Sequence, residues 1–223
     1  MNRVRCGALG VIGGATLLIV SACAQGQSTT ARSPRPGIVA DTNAAGLIPP
    51  GYGTLKQDDI AIKLQLSDVI VTLTPLDENV IRTLSPDSYR ALRDLAESRR
   101  TAVARLVAQH GLLRGSLWYV SFYGLAPDAR FSPLEVTVTS AGQDFRPIEV
   151  MPVSGGFGEQ RLQPRTRQTA LYLFDDALDV NQPLTVSFGS ERNAGWSGTL
   201  SIIERERALV RSRALSSATP KAP

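Results

Sequence analysis

His110 is the single histidine of the chain, so any reaction that needs an imidazole must run through it. Its neighbours place it at the end of a helix, where an imidazolium favours the dipole, and capping is the simpler role. The two cysteines, Cys6 and Cys23, both fall in the first 23 residues. One histidine and no later thiol exclude the usual zinc sets and any Cys–His pair from the rest of the chain. Gly195-Trp196-Ser197-Gly198 begins like a nucleophile elbow. It has Thr199 where G-x-S-x-G needs its last glycine, and it reads as a hairpin turn.

Oxygen chemistry is what remains. Asp175, Asp176, Asp179 and Asn181 bring four hard donors into seven residues, a density suited to a Ca²⁺ loop. That ion asks for about six to eight oxygens, and no glycine completes an EF-hand pattern. The same residue types also suit a plain strand connection, because Asp and Asn side chains bond to nearby backbone N–H groups. No other cofactor is implied. Paired carboxylates can hydrolyse a bond without His or Cys, and Glu135, Glu149, Asp175 and Asp176 are the candidates for that chemistry. Their spacing does not bring any two together.

Ser154 to Gln168 is rich in Gly, Gln and Arg. Gly155 and Gly156 let backbone N–H groups turn towards an anion, and Arg161, Arg165 and Arg167 add forked donors for phosphate or carboxylate. The loop lacks the Lys-Ser/Thr of a P-loop and no helix follows it. Its expected contact is a protein partner, a glycan or a lipid headgroup.

Strands and turns must hold these groups. Ile60, Ile62, Leu64 and Leu66 alternate with polar residues, and after Asp68 the apolar phase moves to Val69, Val71 and Leu73. A one-residue shift turns every side chain over, which predicts a bulge or strand break near Asp68. Ser85 to Gly111 reads as a helix with Ser85 as cap, Pro86 at the first position and Gly111 as left-handed stop. The polar stretch Glu97 to Thr101 marks a kink or split in it. Leu117 to Tyr123 is aromatic on both faces, as a central strand covered on both sides would be. Further strands are expected at Leu134–Thr139, Phe145–Val153, Thr169–Phe174, Leu184–Gly189 and Thr199–Glu204. Pro147 and Pro152 push the second of these to an edge. About eight strands with one helical insertion predict a mainly β fold, a β-sandwich, of which an immunoglobulin-like order is one form.

The N-terminus carries a different signal. Arg3 and Arg5 precede an uncharged apolar run, Ala8 to Val20, of 13 residues. That length suits a signal-peptide core and falls short of the roughly 20 residues of a membrane-spanning helix. Small residues Ser21 and Ala22 lead to Cys23. Val20-Ser21-Ala22-Cys23 resembles the lipobox of bacterial lipoproteins. The resemblance implies cleavage between Ala22 and Cys23 and a lipid, palmitate included, on the Cys23 thiol. It covers only the first 23 residues and implies nothing about the domain behind them. Ala24 is not the Asp that retains some lipoproteins at the inner membrane, which points to the outer membrane, facing the periplasm, in a cell that has one.

The expected organisation is thus a signal peptide over 1–22, a lipid-anchored tether over 23–54, a β-rich domain over 55–213 and a disordered tail over 214–223. The formal charge of +4 includes Arg3 and Arg5, which leave with the signal, so the mature chain is too weakly basic to suggest nucleic acid. The inventory favours a binding or structural module of the cell envelope, held to the membrane by its N-terminal lipid and meeting another envelope protein or a wall polymer. An envelope hydrolase using paired carboxylates is the alternative.

Overall fold

In the computed structural model, which describes residues 46–218, the alternating run near residue 60 forms an antiparallel hairpin. In chain order the strands are β1 (Ile62–Gln65), β2 (Val69–Pro75), β3 (Ser116–Gly124), β4 (Ala129–Arg130), β5 (Thr137–Ser140) and β6 (Gln143–Phe145). They continue with β7 (Glu149–Pro152), β8 (Arg161–Leu162), β9 (Arg167–Phe174), β10 (Leu184–Phe188) and β11 (Glu191–Asn193). The helices are α1 (Glu78–Ile81), α2 (Pro86–Ser98), α3 (Arg100–Gln109) and α4 (Trp196–Ala218). The described residues form a mainly β architecture of three antiparallel sheets, ordered β1-β2-β3-β9-β7, β11-β10-β5-β6 and β4-β8.

The two larger sheets share one apolar core in a sandwich-like arrangement. Phe122 on β3 and Phe188 on β10 meet at 5.7 Å between ring centroids, and Phe131 stacks on Phe122 at 4.2 Å. Val138, Leu184 and Val186 face inwards from the second sheet, while Thr139, Thr185 and Ser187 alternate outwards. Asn193 closes one corner by donating from Nδ2 to the Lys63 carbonyl at 2.8 Å. Three consecutive strands, β1-β2-β3, lie side by side, an order that the immunoglobulin arrangement of ABED on CFG does not contain.

The local signals explain much of this. The turn at Ser67-Asp68 joins β1 to β2 where the apolar phase changes, and Leu66 N–H closes it on the Val69 carbonyl at 2.9 Å. Pro147 falls where the expected single return strand divides into β6 and β7, which end up as edges of different sheets. The helical insertion splits at Arg99. Ser85 stands at the N-cap of α2, but its Oγ meets Ser88 Oγ at 3.0 Å instead of a backbone N–H. His110 is the exposed C-cap of α3 and Gly111 follows at φ +68°, with Leu112 N–H reaching back to the Val107 carbonyl.

Several expectations are corrected. The expected strand Thr199–Glu204 lies inside α4, whose buried Trp196, Ile203, Arg207 and Val210 recur at helical spacing. The expected hairpin turn at residues 195–198 is the start of that helix. Leu134 and Glu135 belong to a 3-10 turn, Pro133–Glu135, and the strand begins at Thr137. The expected tether over 23–54 ends sooner in the structure, where Ile48 and Gly53 are buried within the fold. Leu55 bridges to Leu84, and a Cβ at Gly53 would overlap the Thr83 carbonyl, so the incoming chain is packed against the segment that precedes α2. The tail assigned from 214 begins inside α4, which runs to Ala218. Among the described residues no helix is long and apolar enough to cross a membrane.

Candidate functional site

Strand β3 was expected to be covered on both sides. Its inward residues Trp118, Val120 and Phe122 are fully buried, but the opposite face is covered only in part. At the Ser116 end, Gly115 lies against the side chains of Leu173 and Val107, so closely that a Cβ there would overlap the Leu173 side chain. Towards the other end Ile70, Thr72, Tyr119 and Tyr123 are half-buried and Ser121 is buried between them. The pairing register lays Lys63, Thr72 and Ser121 in one row across β1, β2 and β3. It lays Gln65, Ile70, Tyr123 and Arg167 in the next row, which continues onto β9.

All of these side chains except Gln65 line a cleft of about 510 Å³. Tyr119 stands at one end of it and Tyr123 at the other. The 3-10 turn Gln57–Asp59 supplies one wall, through Lys56, Gln57 and Asp58. Lys56 N–H donates to Asp59 Oδ2 at 2.7 Å, which fixes that turn over the sheet edge. The cleft holds three cations, Lys56, Lys63 and Arg167, against one carboxylate, Asp58. Asp58 lies 3.3 Å from Lys63 with both side chains exposed, a pair that solvent screens heavily. The Arg167 guanidinium sits 5.9 Å from the Tyr123 ring centroid, which orients both groups along the rim. Such a surface can stack a flat ligand on its rings, bond to hydroxyls and attract negative charge.

The five residues of the expected anion loop do not converge on one point. Arg167 borders the large cleft, and together with Gly155 and Arg161 it lines a smaller one of about 340 Å³. Arg161 is held by Asp128 at 3.2 Å, a residue far away in sequence. Arg165 takes a positive φ of 62°, and its N–H donates to the Gly124 carbonyl at 2.9 Å. Gly156 adopts φ +78° to open a 3-10 turn whose Phe157 is buried beside Phe122 and Phe131. Two residues of this loop, Phe157 and Leu162, therefore serve the core.

The candidate calcium residues cap turns. Asp175 Oδ1 accepts from Ala177 N–H and Asp179 Oδ1 from Asn181 N–H, each at 2.9 Å. Asp176 Oδ2 accepts from Leu113 N–H at 3.1 Å, and Asn181 Oδ1 from Arg207 at 3.0 Å. Among the described residues, no three His, Cys, Asp or Glu gather as a metal set. The four carboxylates considered for hydrolysis are spread over three elements: Glu135 in the 3-10 turn before β5, Glu149 on β7, and Asp175 and Asp176 after β9. Val20, Ser21, Ala22 and Cys23 lie outside the described residues.

Sequence reasoning missed Lys56, Lys63, Thr72, Tyr119, Ser121 and Tyr123 as a group. Two signals could have found them. Lysine is scarce, with only Lys56, Lys63 and Lys221 in the chain, and two of the three line this cleft. Residues 119, 121 and 123 are also Tyr, Ser and Tyr, while the alternating positions 118, 120 and 122 are wholly apolar. No family model, curated protein or solved structure matches the chain.

Proposed function

We propose that the chain is a lipid-anchored protein of the bacterial cell envelope whose sandwich-like domain is a binding module. The anchor reading rests on the lipobox residues Val20 to Cys23 and on the absence of any other cysteine after residue 6. The observation that carries the binding reading is the cleft on the half-covered part of the outer β3 face. Tyr119 and Tyr123, both only partly buried, stand there over a cleft edged by Lys56, Lys63 and Arg167. Tyrosine is well suited to such a surface because its ring is apolar and its tip is wet. Pockets of about 300–1,000 Å³ with a few convergent polar groups are the usual form of a ligand site. The partner is another envelope component, a protein or a wall polymer, met by a domain held at the membrane through Cys23.

Two measurements in cells test this. A palmitate probe should label the native chain and leave Cys23→Ser unlabelled; equal labelling of both would defeat the anchor. A photo-crosslinking residue placed at position 63, in the cleft, should capture an envelope component. The same residue at position 144, on the outer face of the second sheet, should not. Stronger capture from 144 than from 63 would move the contact away from the cleft.

A further inference from the structure

We infer that the outer-sheet cleft takes a saccharide chain bearing carboxylate groups, an inference that rests on the binding-module reading above. Tyr119 and Tyr123 lie on the same face of β3, four residues and therefore about 13 Å apart along the strand. They mark out a platform for an extended ligand, with Ser121 and Thr72 between and beside them. A tyrosine ring offers a flat apolar surface to the C–H face of a sugar. The Thr72 hydroxyl and the Gln57 carboxamide can each donate and accept, which matches sugar hydroxyls, while Ser121 lies buried in the floor between the tyrosines.

Charge decides between a neutral and an acidic saccharide. Three cations face the cleft against the single carboxylate of Asp58. Arg167, oriented by the Tyr123 ring, presents a forked donor set that fits a carboxylate at two points. The sheet geometry argues against an extended peptide. Peptides that add to a sheet use a free backbone edge, whereas the floor strands β2 and β3 are flanked on both sides and on the edge strand β1 the Lys63 carbonyl already accepts from Asn193 Nδ2. A ligand here is read by side chains.

The test uses the detergent-solubilised full-length protein and three probes, with affinity from calorimetry and location from hydrogen exchange. The first is a tetrasaccharide of alternating N-acetylglucosamine and N-acetylmuramic acid. The second is chitotetraose, of the same length without carboxylates, and the third is hexaglutamate. The acidic tetrasaccharide should bind, protect residues 56–59 and 69–72, and outbind chitotetraose by about tenfold, the scale of one charge-assisted hydrogen bond. Arg167→Gln, an exposed change that should leave thermal unfolding unaltered, should remove that preference, as should raising salt from about 0.05 M to about 0.5 M. Equal binding of chitotetraose overturns the carboxylate assignment. Hexaglutamate bound as tightly, with the same protection, overturns the saccharide in favour of an acidic peptide. No binding of any probe, or protection confined to residues 155–168, overturns the inference. Crosslinking from position 63 is a separate readout, so the binding-module reading stands or falls apart from this one.

Discussion

Ala141 occupies a backbone conformation that its own side chain resists. It and Gly142 form the two-residue turn between β5 and β6, at φ +51° and +78°, with Ser140 paired to Gln143 across it. Two successive positive φ values define a type I′ turn, for which Asn-Gly is the favoured pair. Ala141→Asn should therefore raise stability by about 0.5–1 kcal/mol, read as a higher urea midpoint at unchanged slope. An unchanged or lower midpoint would mean that the strain is relieved elsewhere. Tyr172 illustrates the opposite case. Burial pushes its phenol pKa well up, and its hydroxyl donates to the Pro133 carbonyl at 2.9 Å, pinning the turn before β5.

At the scale of elements, α4 is the part of the fold that a short window misreads. Residues 199–204 alternate well enough to pass for a strand, but the buried positions Trp196, Ile203 and Val210 are seven apart, two turns of helix. Trp196 leads the helix into the core, 6.4 Å from Trp118, and its indole N–H donates to the Val180 carbonyl at 2.8 Å. Arg207 is buried on the same face and donates to the Asn79 carbonyl, Asn181 Oδ1 and Glu204, so the helix is tied to α1 and to the turn after β9. Adjacent isoleucines test this orientation. Ile203 is fully buried and Ile202 is 42% exposed. Ile203→Ala should cost about 2–4 kcal/mol by chemical denaturation, and Ile202→Ala less than about 1 kcal/mol. Similar losses at both positions would put the wrong face of α4 against the sheets.

Across the whole molecule, both ends of the described chain are fastened at one buried carboxylate. Glu206 Oε1 accepts from Thr54 N–H and Thr54 Oγ1, each at 2.9 Å, and from Arg213 at 2.7 Å. Arg213 also donates to the Tyr52 carbonyl at 2.7 Å. Burial alone would raise the Glu206 pKa, but the bonds from Arg213 and Thr54 and the Arg213 charge outweigh it and hold the carboxyl below its ordinary value. A carboxyl lowered in the folded state contributes stability that is fully present above its unfolded value of about 4.3 and lost as pH falls through the folded one. Glu206→Gln should thus cost about 1–3 kcal/mol at neutral pH, and the gap to the native protein should narrow below about pH 4. Urea unfolding of both proteins at several pH values measures it. A gap that stays constant on acidification would show that the charge of Glu206 is not what fastens the two ends.

Local physics was enough for the sequence to determine the alternating strand before Asp68, the phase change there, an interruption of the helix between Glu97 and Thr101 and the edge position of the proline-bearing segment. Each follows from side-chain period or from turn and proline chemistry within a few residues. The resemblance of Val20 to Cys23 to a lipobox is read in the same way, from contiguous residues. The tertiary structure alone decided which loop charges are engaged, because their partners are distant: Asp176 caps residue 113, and Arg161 pairs with Asp128. It also decided that the outer face of β3 is covered only in part. Alternation says which residues share a face, but coverage depends on where a neighbouring helix lands. Here α3 packs on the Leu173 end and leaves Tyr119, Ser121 and Tyr123 lining a cleft.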